Sequence, residues 1–303
     1  MSILTSAQSA KIAALAVDRL IDYTKSHHLH GYANGISGGI NSTIIAKISL
    51  LAAAKLRSEG YAMSDRYIYI GIQSNPDDLA KARELAKAWN FSLEEHDLTD
   101  WYLSSPIYTD IPKDAPDAKV QLANFKCRLR MILLSQKAKQ AHGIYLDTDD
   151  LIEDLLGFFT VRGDCGDVKI LQLLSKLESY DLGRYFKAPR SVLKSKPGDG
   201  LGVTTTSAAS DQLGLEYVYI EYILSRFLGA GFDHLGEKDQ LDHPKFKDLI
   251  QTVAKEAGVT GDQIEKILNQ TLSTTFKISS GYGVPLLITS RTEMGLPEID
   301  SKE

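Results

Sequence analysis

Gly31-Tyr32-Ala33-Asn34-Gly35-Ile36-Ser37-Gly38-Gly39-Ile40-Asn41-Ser42-Thr43 is the stretch that decides the fold. Gly31 to Ile36 reads as a strand, and Ser42 to about Arg57 as a helix with Ile44, Ile45, Ile48 and Leu51 turned inward. Between them stand two adjacent glycines, where no Cβ keeps the backbone away from an anion. Ser37, Ser42 and Thr43 add hydroxyl donors, and the helix start adds unpaired N–H groups and the positive end of a dipole. Ser37, Gly38, Gly39, Asn41 and Ser42 are therefore the residues expected to cradle the pyrophosphate of ATP. No Gly-Lys-Ser/Thr ending follows, which argues against a Walker-type loop. Taken alone, the same residues also fit a tight glycine turn that merely caps a helix.

The segments around this loop alternate. Residues 8–26 carry Ile12, Leu15, Ala16, Leu20 and Tyr23 at helical spacing, ahead of the first strand. After the loop and its helix come a short apolar run from Tyr67 to Ile72, a helix from Asp77 to Asn90 and a strand from Ser92 to Leu98. A long helix from about Asp117 to Ala141 and a strand from Gly143 to Leu146 continue the pattern. Such alternation predicts an α/β fold, a doubly wound, Rossmann-like parallel sheet covered on both faces, with its ligand at the carboxyl ends of the strands. Residues 1–228 are read as this nucleotide-binding domain and 229–303 as a small helical appendage with a Gly/Pro/Ser tail. Pro106 to Pro116 and Ser195 to Ser210 read as loops over the site.

Bulk properties exclude other classes. With 303 residues and 43% hydrophobic composition, the chain can bury a large core. No run is long and apolar enough to span a membrane, and the N-terminus has no secretory pattern, so a soluble, cytoplasmic protein is expected. A net charge of −5 argues against a general nucleic-acid binder. Cys127 and Cys165 are too few for a disulfide framework and are not spaced as a metal pair.

Further motifs stand beyond the loop. Asn124-Phe125-Lys126-Cys127-Arg128-Leu129-Arg130-Met131 is similar to an N-x-K-A-R-x-R-M helix, and Asp147-Thr148-Asp149 with Glu153 is similar to G-T-D/S-x-x-x-E. Gly157-Phe158-Phe159-Thr160, Gly163-Asp164, Ser175-Lys176 and Ser210-Asp211-Gln212-Leu213-Gly214-Leu215-Glu216-Tyr217 follow in order. Together with the loop, these motifs resemble the ammonia-dependent NAD synthetases, of the adenine nucleotide alpha-hydrolase-like group with SGGxDS loops, from about residue 12 to 228. The resemblance implies an ATP-dependent ligase that adenylates deamido-NAD and transfers ammonia, giving NAD, AMP and pyrophosphate. It implies Mg²⁺ on Glu153, a phosphate donor in Thr148, and countercharges in Lys176 and Arg128. Tyr23 and Phe158 are implied ring contacts to the dinucleotide, and Asn124 and Asp164 further binding residues. It also implies a homodimer with the dinucleotide at the subunit boundary, and ammonia taken free or from a partner.

The chain departs from the family pattern at several places. Asn41 stands at the loop aspartate, exchanging a charged Mg²⁺ ligand for a neutral amide, so metal affinity is expected to fall. Ile72 replaces an arginine, Val161 a lysine and Gln212 a glutamate; Pro197 to Leu201 diverges, and Phe276 to Pro285 lacks a basic segment. Two functional classes therefore remain, a divergent ligase and a nucleotide-binding paralogue with little turnover. A sulfur-transferring relative would need Cys165 as its reactive thiol. Without the family pattern, Glu153 reads as an ordinary helix carboxylate, and the arginines of the long helix as covers for core edges.

Overall fold

The structure, a computed structural model, describes residues 3–198, 200–203, 208–279 and 285–298. Asp199, residues 204–207 and residues 280–284, which fall within the two divergent segments and the loop noted above, lie outside the described residues.

Helix α1 (Ser6–Ser26) starts at a capping box in which Thr5 and Gln8 exchange hydrogen bonds, and it leads into strand β1 (Gly31–Gly35). The glycine loop opens into α2 (Ile40–Ser58), followed by β2 (Ser64–Gly71). Asn75 caps α3 (Pro76–Trp89), with proline at its first position and Asn90 left-handed at its end. Then come β3 (Leu93–Asp97), short α4 (Thr99–Ser104) and α5 (Pro106–Asp110), α6 (Ala118–Gln140) and β4 (Ile144–Tyr145). The strand order is β3-β2-β1-β4, all parallel. The expected α/β doubly wound sheet is thus present.

Side chains alternate across this sheet, as strand geometry requires. Tyr32, Ile144 and Leu146 join a core with α1 and α2, while Ala33, Ile68, Ile70 and Tyr145 face Phe125, Leu129 and Leu134 of α6. Tyr67 and Tyr69 pack with Ala82 and Leu85 of α3. Three details differ from the sequence-based expectation. Pro106 to Pro116, expected as a loop, opens with helix α5, which Ser105 caps and whose first position the proline suits. Leu51 is exposed, because Ile44, Ile45, Ile48, Ala52 and Leu56 already fill the inward stripe of α2. Strand β4 is short, and Leu146 continues it only as an isolated bridge to Val168.

Beyond the sheet, α7 (Leu151–Leu155), α8 (Lys176–Tyr185), α9 (Arg190–Leu193), α10 (Ala209–Leu213) and α11 (Tyr217–Gly229) complete the wall around the strand ends. The α12 (Pro244–Ala257), α13 (Gly261–Ser273) and α14 (Thr275–Ser279) helices follow. Phe227, Phe232 and Phe246 pack ring to ring, joining α11 to α12. The start of α8 is fixed from three directions. Ser175 and Glu178 form its capping box, Arg291 donates from the C-terminal segment to Glu178 at 2.6 and 2.9 Å, and Glu221 of α11 accepts the Leu177 N–H at 2.9 Å.

Burial lifts the Glu221 carboxyl from 4.5 to about 7, against the pull of its Leu177 and Ser175 hydrogen bonds and with help from Asp150 and Glu178. The folded chain therefore holds a proton that the unfolded chain releases between those values. This contribution to stability is complete in acid and is lost as the pH rises through about 7. Glu221→Gln should remove that loss, raising stability at pH 8 relative to wild type by up to about 3 kcal/mol. Denaturant titrations between pH 4.5 and 8 check it; parallel pH profiles for the two proteins would show the assignment to be wrong.

Candidate functional site

The carboxyl ends of β1, β2 and β4 open onto one cleft of about 1130 Å³, lined by Gly35 to Ser42, Ile68 to Ile70, Gln73 to Asn75, Tyr145 and Thr148. In the strand order, β1 lies where the chain reverses direction across the sheet, the position at which open α/β sheets bind their ligands. The loop at the end of β1 is built for close approach. Gly38 has φ +83°, and a Cβ there would stand 2.8 Å from the Asp78 carbonyl oxygen. Ser37 and Ser42 hydroxyls lie 2.9 Å apart, and the Gly39 N–H donates to Ser37 Oγ at 3.2 Å. Gly39 caps α2 without a side-chain hydrogen bond, leaving first-turn amides at the cleft. The Thr43 hydroxyl, expected to face the anion, instead donates to Gly39 O at 2.8 Å, and Thr43 is fully buried. A helical hydroxyl returning to the carbonyl four residues back accounts for this.

Beside the loop stands a buried group of charges. Asp150 caps α7, accepting from the Ile152 and Glu153 N–H groups, while Glu153 returns to the Asp150 N–H. That reciprocal cap holds the two carboxylates together, with Glu153 lining the cleft and Asp150 fully buried. Lys176, the first residue of α8, places its ammonium 2.6 Å from Asp150 Oδ2 and 2.7 Å from Glu153 Oε1. From the other side, Asn41 Nδ2 donates to Asp150 Oδ2 at 3.0 Å and Glu153 Oε2 at 2.9 Å. Burial, then the charge of Asp150, lifts the Glu153 carboxyl to about 7, against the Lys176 ammonium. Burial opposes the charge on Lys176, but Asp150 and Glu153 hold its pKa well above the ordinary lysine value. Asn41 Oδ1 is buried and accepts no hydrogen bond. It offers, with Glu153, the hard oxygen atoms that Mg²⁺ takes, so the residues present fit that ion.

Of the residues singled out in the sequence, Ser37, Gly38, Gly39, Asn41, Ser42, Asn124, Thr148, Glu153, Phe158, Asp164 and Lys176 all line the cleft. Thr160 ties two of them, its hydroxyl donating to Asn124 Oδ1 at 2.7 Å and its N–H to Asp164 Oδ2 at 2.8 Å. Arg128 and Tyr23 are not brought to it. Arg128 is exposed on the outer face of α6, near Val161 O, and Tyr23 stacks on His27 on α1. It is Arg130 that reaches the cleft, donating to Ile70 O at 3.2 Å and Ser74 Oγ at 3.3 Å. The sequence reading also did not place Lys81 or Lys277 at the site. Lys277 of α14 donates to Gly157 O at 2.6 Å and Phe159 O at 2.7 Å, and burial lowers its pKa. Nothing in the spacing pointed to Lys277.

Comparison with known proteins follows the same lines. The family model described as NAD synthase matches residues 12–279. A relative in Mannheimia succiniciproducens, an NH(3)-dependent NAD(+) synthetase, is 32% identical over 225 residues, covering 71% of this chain and 84% of the relative. One from Thermoplasma acidophilum, of the same description, is 29% identical over 72% of this chain and 82% of its own length. Among solved structures, the NH3-dependent NAD synthetase from Campylobacter jejuni, in complex with the nitrate ion, superposes with a TM-score of 0.62. It shares 20% identity over 89% of this chain and 96% of that one. The NMN synthetase from Francisella tularensis gives 0.63 at 24% identity, over 71% and 85%. These likenesses establish the fold, and the extent of the family match settles the relationship: the chain belongs to the NAD synthase family.

Proposed function

We propose that the chain is an ammonia-dependent NAD synthetase, an ATP-dependent ligase that converts deamido-NAD to NAD. One observation carries the reading: a single cleft joins the glycine loop, Glu153, Lys176, Thr148 and the Asn124–Thr160–Asp164 group. Its volume, about 1130 Å³, stands at the upper end of the roughly 300–1,000 Å³ usual for ligand sites, which suits a large ligand. The nicotinate carboxylate attacks the α-phosphorus of ATP, the bond to pyrophosphate breaks, and ammonia then displaces AMP from the acyl adenylate. The loop amides and the start of α2 hold the pyrophosphate, where charge grows as it leaves. Lys176, fixed between two carboxylates, keeps Glu153 in place and reduces the negative charge that the group presents to the phosphates. Phe158 and the Asn124 and Asp164 side chains, on the same cleft, serve as further contacts for the dinucleotide.

Mg²⁺, held by Glu153 and Asn41 Oδ1, would offset phosphate charge when bound. Glu153 is the ligand that Lys176 and Asn41 keep in place without it. The two thiols, neither in a disulfide, suit a cytoplasmic setting, and among the described residues no helix is long and apolar enough to cross a membrane. Residues 1–228 serve as the nucleotide-binding unit, and 229–303 as an appendage whose α14 returns Lys277 to the cleft.

Incubating the chain with ATP, Mg²⁺, deamido-NAD and ammonium should yield NAD and AMP in equal amounts. Glu153→Ala should lower the rate by about 10²–10³-fold, the scale of losing one preorganised electrostatic group. AMP release no faster than in that variant would overturn the reading in favour of a binding protein.

The chain also acts as a homodimer. Ile132 stands about half exposed on the side of α6 that also carries Arg128, and Trp101 and Ile107 stand exposed on α4 and α5. Light scattering at micromolar concentration should give twice the chain mass, and Ile132→Asp should give monomer. A monomeric wild type would contradict it.

A further inference from the structure

Next to the site, but outside the Lys176 network, two carboxylates and a thiol converge. Asp147, Asp149 and Cys165 each bring one ligating atom to a point where all three atoms lie within 4.8 Å of one another. Asp147, just past β4, is fully buried and rigidly held. It accepts from the Asp149 N–H at 2.8 Å, the Gly166 N–H at 2.7 Å and the Gln172 amide at 2.7 Å. Gly166 makes this approach possible, since a Cβ there would stand 2.3 Å from the Asp147 nitrogen. The backbone contact delivers the neighbouring Cys165 to the same place.

Asp149 is different in kind. It is 7% exposed and lines the cleft, yet its Oδ2 is buried and accepts no hydrogen bond. A buried carboxylate oxygen without a donor is costly and calls for a partner. Two ammonium groups stand near this group, and each is bonded elsewhere: Lys169 to Asp154 at 3.2 Å, and Lys277 to the Gly157 and Phe159 carbonyl oxygens. The G-T-D/S motif that this segment resembles has glycine where Asp147 stands, so one of the two carboxylates belongs to this chain's own pattern.

We infer that Asp147, Asp149 and Cys165 form a binding site for a thiophilic divalent cation of the Zn²⁺ type, open toward the cleft at Asp149. Two carboxylate oxygens and one sulfur make a three-ligand set that leaves a fourth tetrahedral position unfilled. Sulfur selects against Mg²⁺, whose place is with the oxygen atoms of Glu153 and Asn41. The inference stands on these three side chains and is independent of the proposed synthetase activity.

The full chain, stripped of metal with a chelator, is titrated with Co²⁺ as an optical probe. One equivalent should bind with a sulfur-to-cobalt charge-transfer band, which Zn²⁺ displaces and excess Mg²⁺ does not. Cys165→Ser should abolish the band although buried Cys127 remains, and Asp149→Asn should weaken Co²⁺ binding by about tenfold or more. Wild-type chain that binds no Co²⁺ with a thiolate band overturns the inference, whatever the variants do. So does a band that survives unchanged in Cys165→Ser.

Discussion

The Lys176 ammonium, set between the Asp150 and Glu153 carboxylates, is the interaction on which the site depends. It binds together pieces of chain that local propensity brings nowhere near each other: the start of α8, the cap of α7 and, through Asn41, the start of α2. Two buried carboxylates this close repel, and removing either from water is expensive, so neither is tolerable without its donors. Lysine supplies one countercharge. The Asn41 amide supplies two further N–H donors where a loop aspartate would supply a third negative charge. The group thus carries a net charge of about −1 with Glu153 ionised, instead of about −2.

That arithmetic connects the departure at position 41 to the rest of the molecule. In a loop with aspartate, a divalent cation is needed to hold three carboxylates together; here the amide does part of that task within the protein. Scaffolding around the network is correspondingly firm. Arg291 and Glu221 clamp the first turn of α8 from the C-terminal segment and from α11, so Lys176 has little freedom to leave its partners. The glycine loop rests on the same frame, because Asn41 lies in the first turn of the helix whose amides face the cleft. A pre-tied cradle of this kind keeps its shape before any nucleotide arrives.

Much of this was readable from sequence, for identifiable reasons. The sheet was legible because the Gly31 to Ile36 strand, ending in the glycine loop, and the short apolar run Tyr67 to Ile72 alternate with segments of helical period. Eleven of the residues marked for binding line the cleft because the motifs carrying them sit at strand ends and helix starts, where topology fixes position. Side-chain direction was less legible. Arg128 and Arg130 are two residues apart on one helix, and only the packing of α6 against β2 decides that Arg130 turns inward. Thr43 was misread because a hydroxyl in a first turn can serve an anion or its own helix, and spacing does not tell which. Lys277 and Arg291 come from segments more than a hundred residues from their partners, a relation no local pattern records.

The measurement that bears most directly on the central network is the thermal unfolding of wild type and Asn41→Asp, each with and without Mg²⁺. Without the ion, the variant trades two donated hydrogen bonds for a third carboxylate beside Asp150 and Glu153. It should lose about 3 kcal/mol, the scale of an uncompensated buried charge. Mg²⁺ at about a hundred times its dissociation constant should return roughly 2.7 kcal/mol to the variant, while wild type responds much less. An aspartate variant as stable as wild type without Mg²⁺, or one that Mg²⁺ does not rescue, would contradict the account.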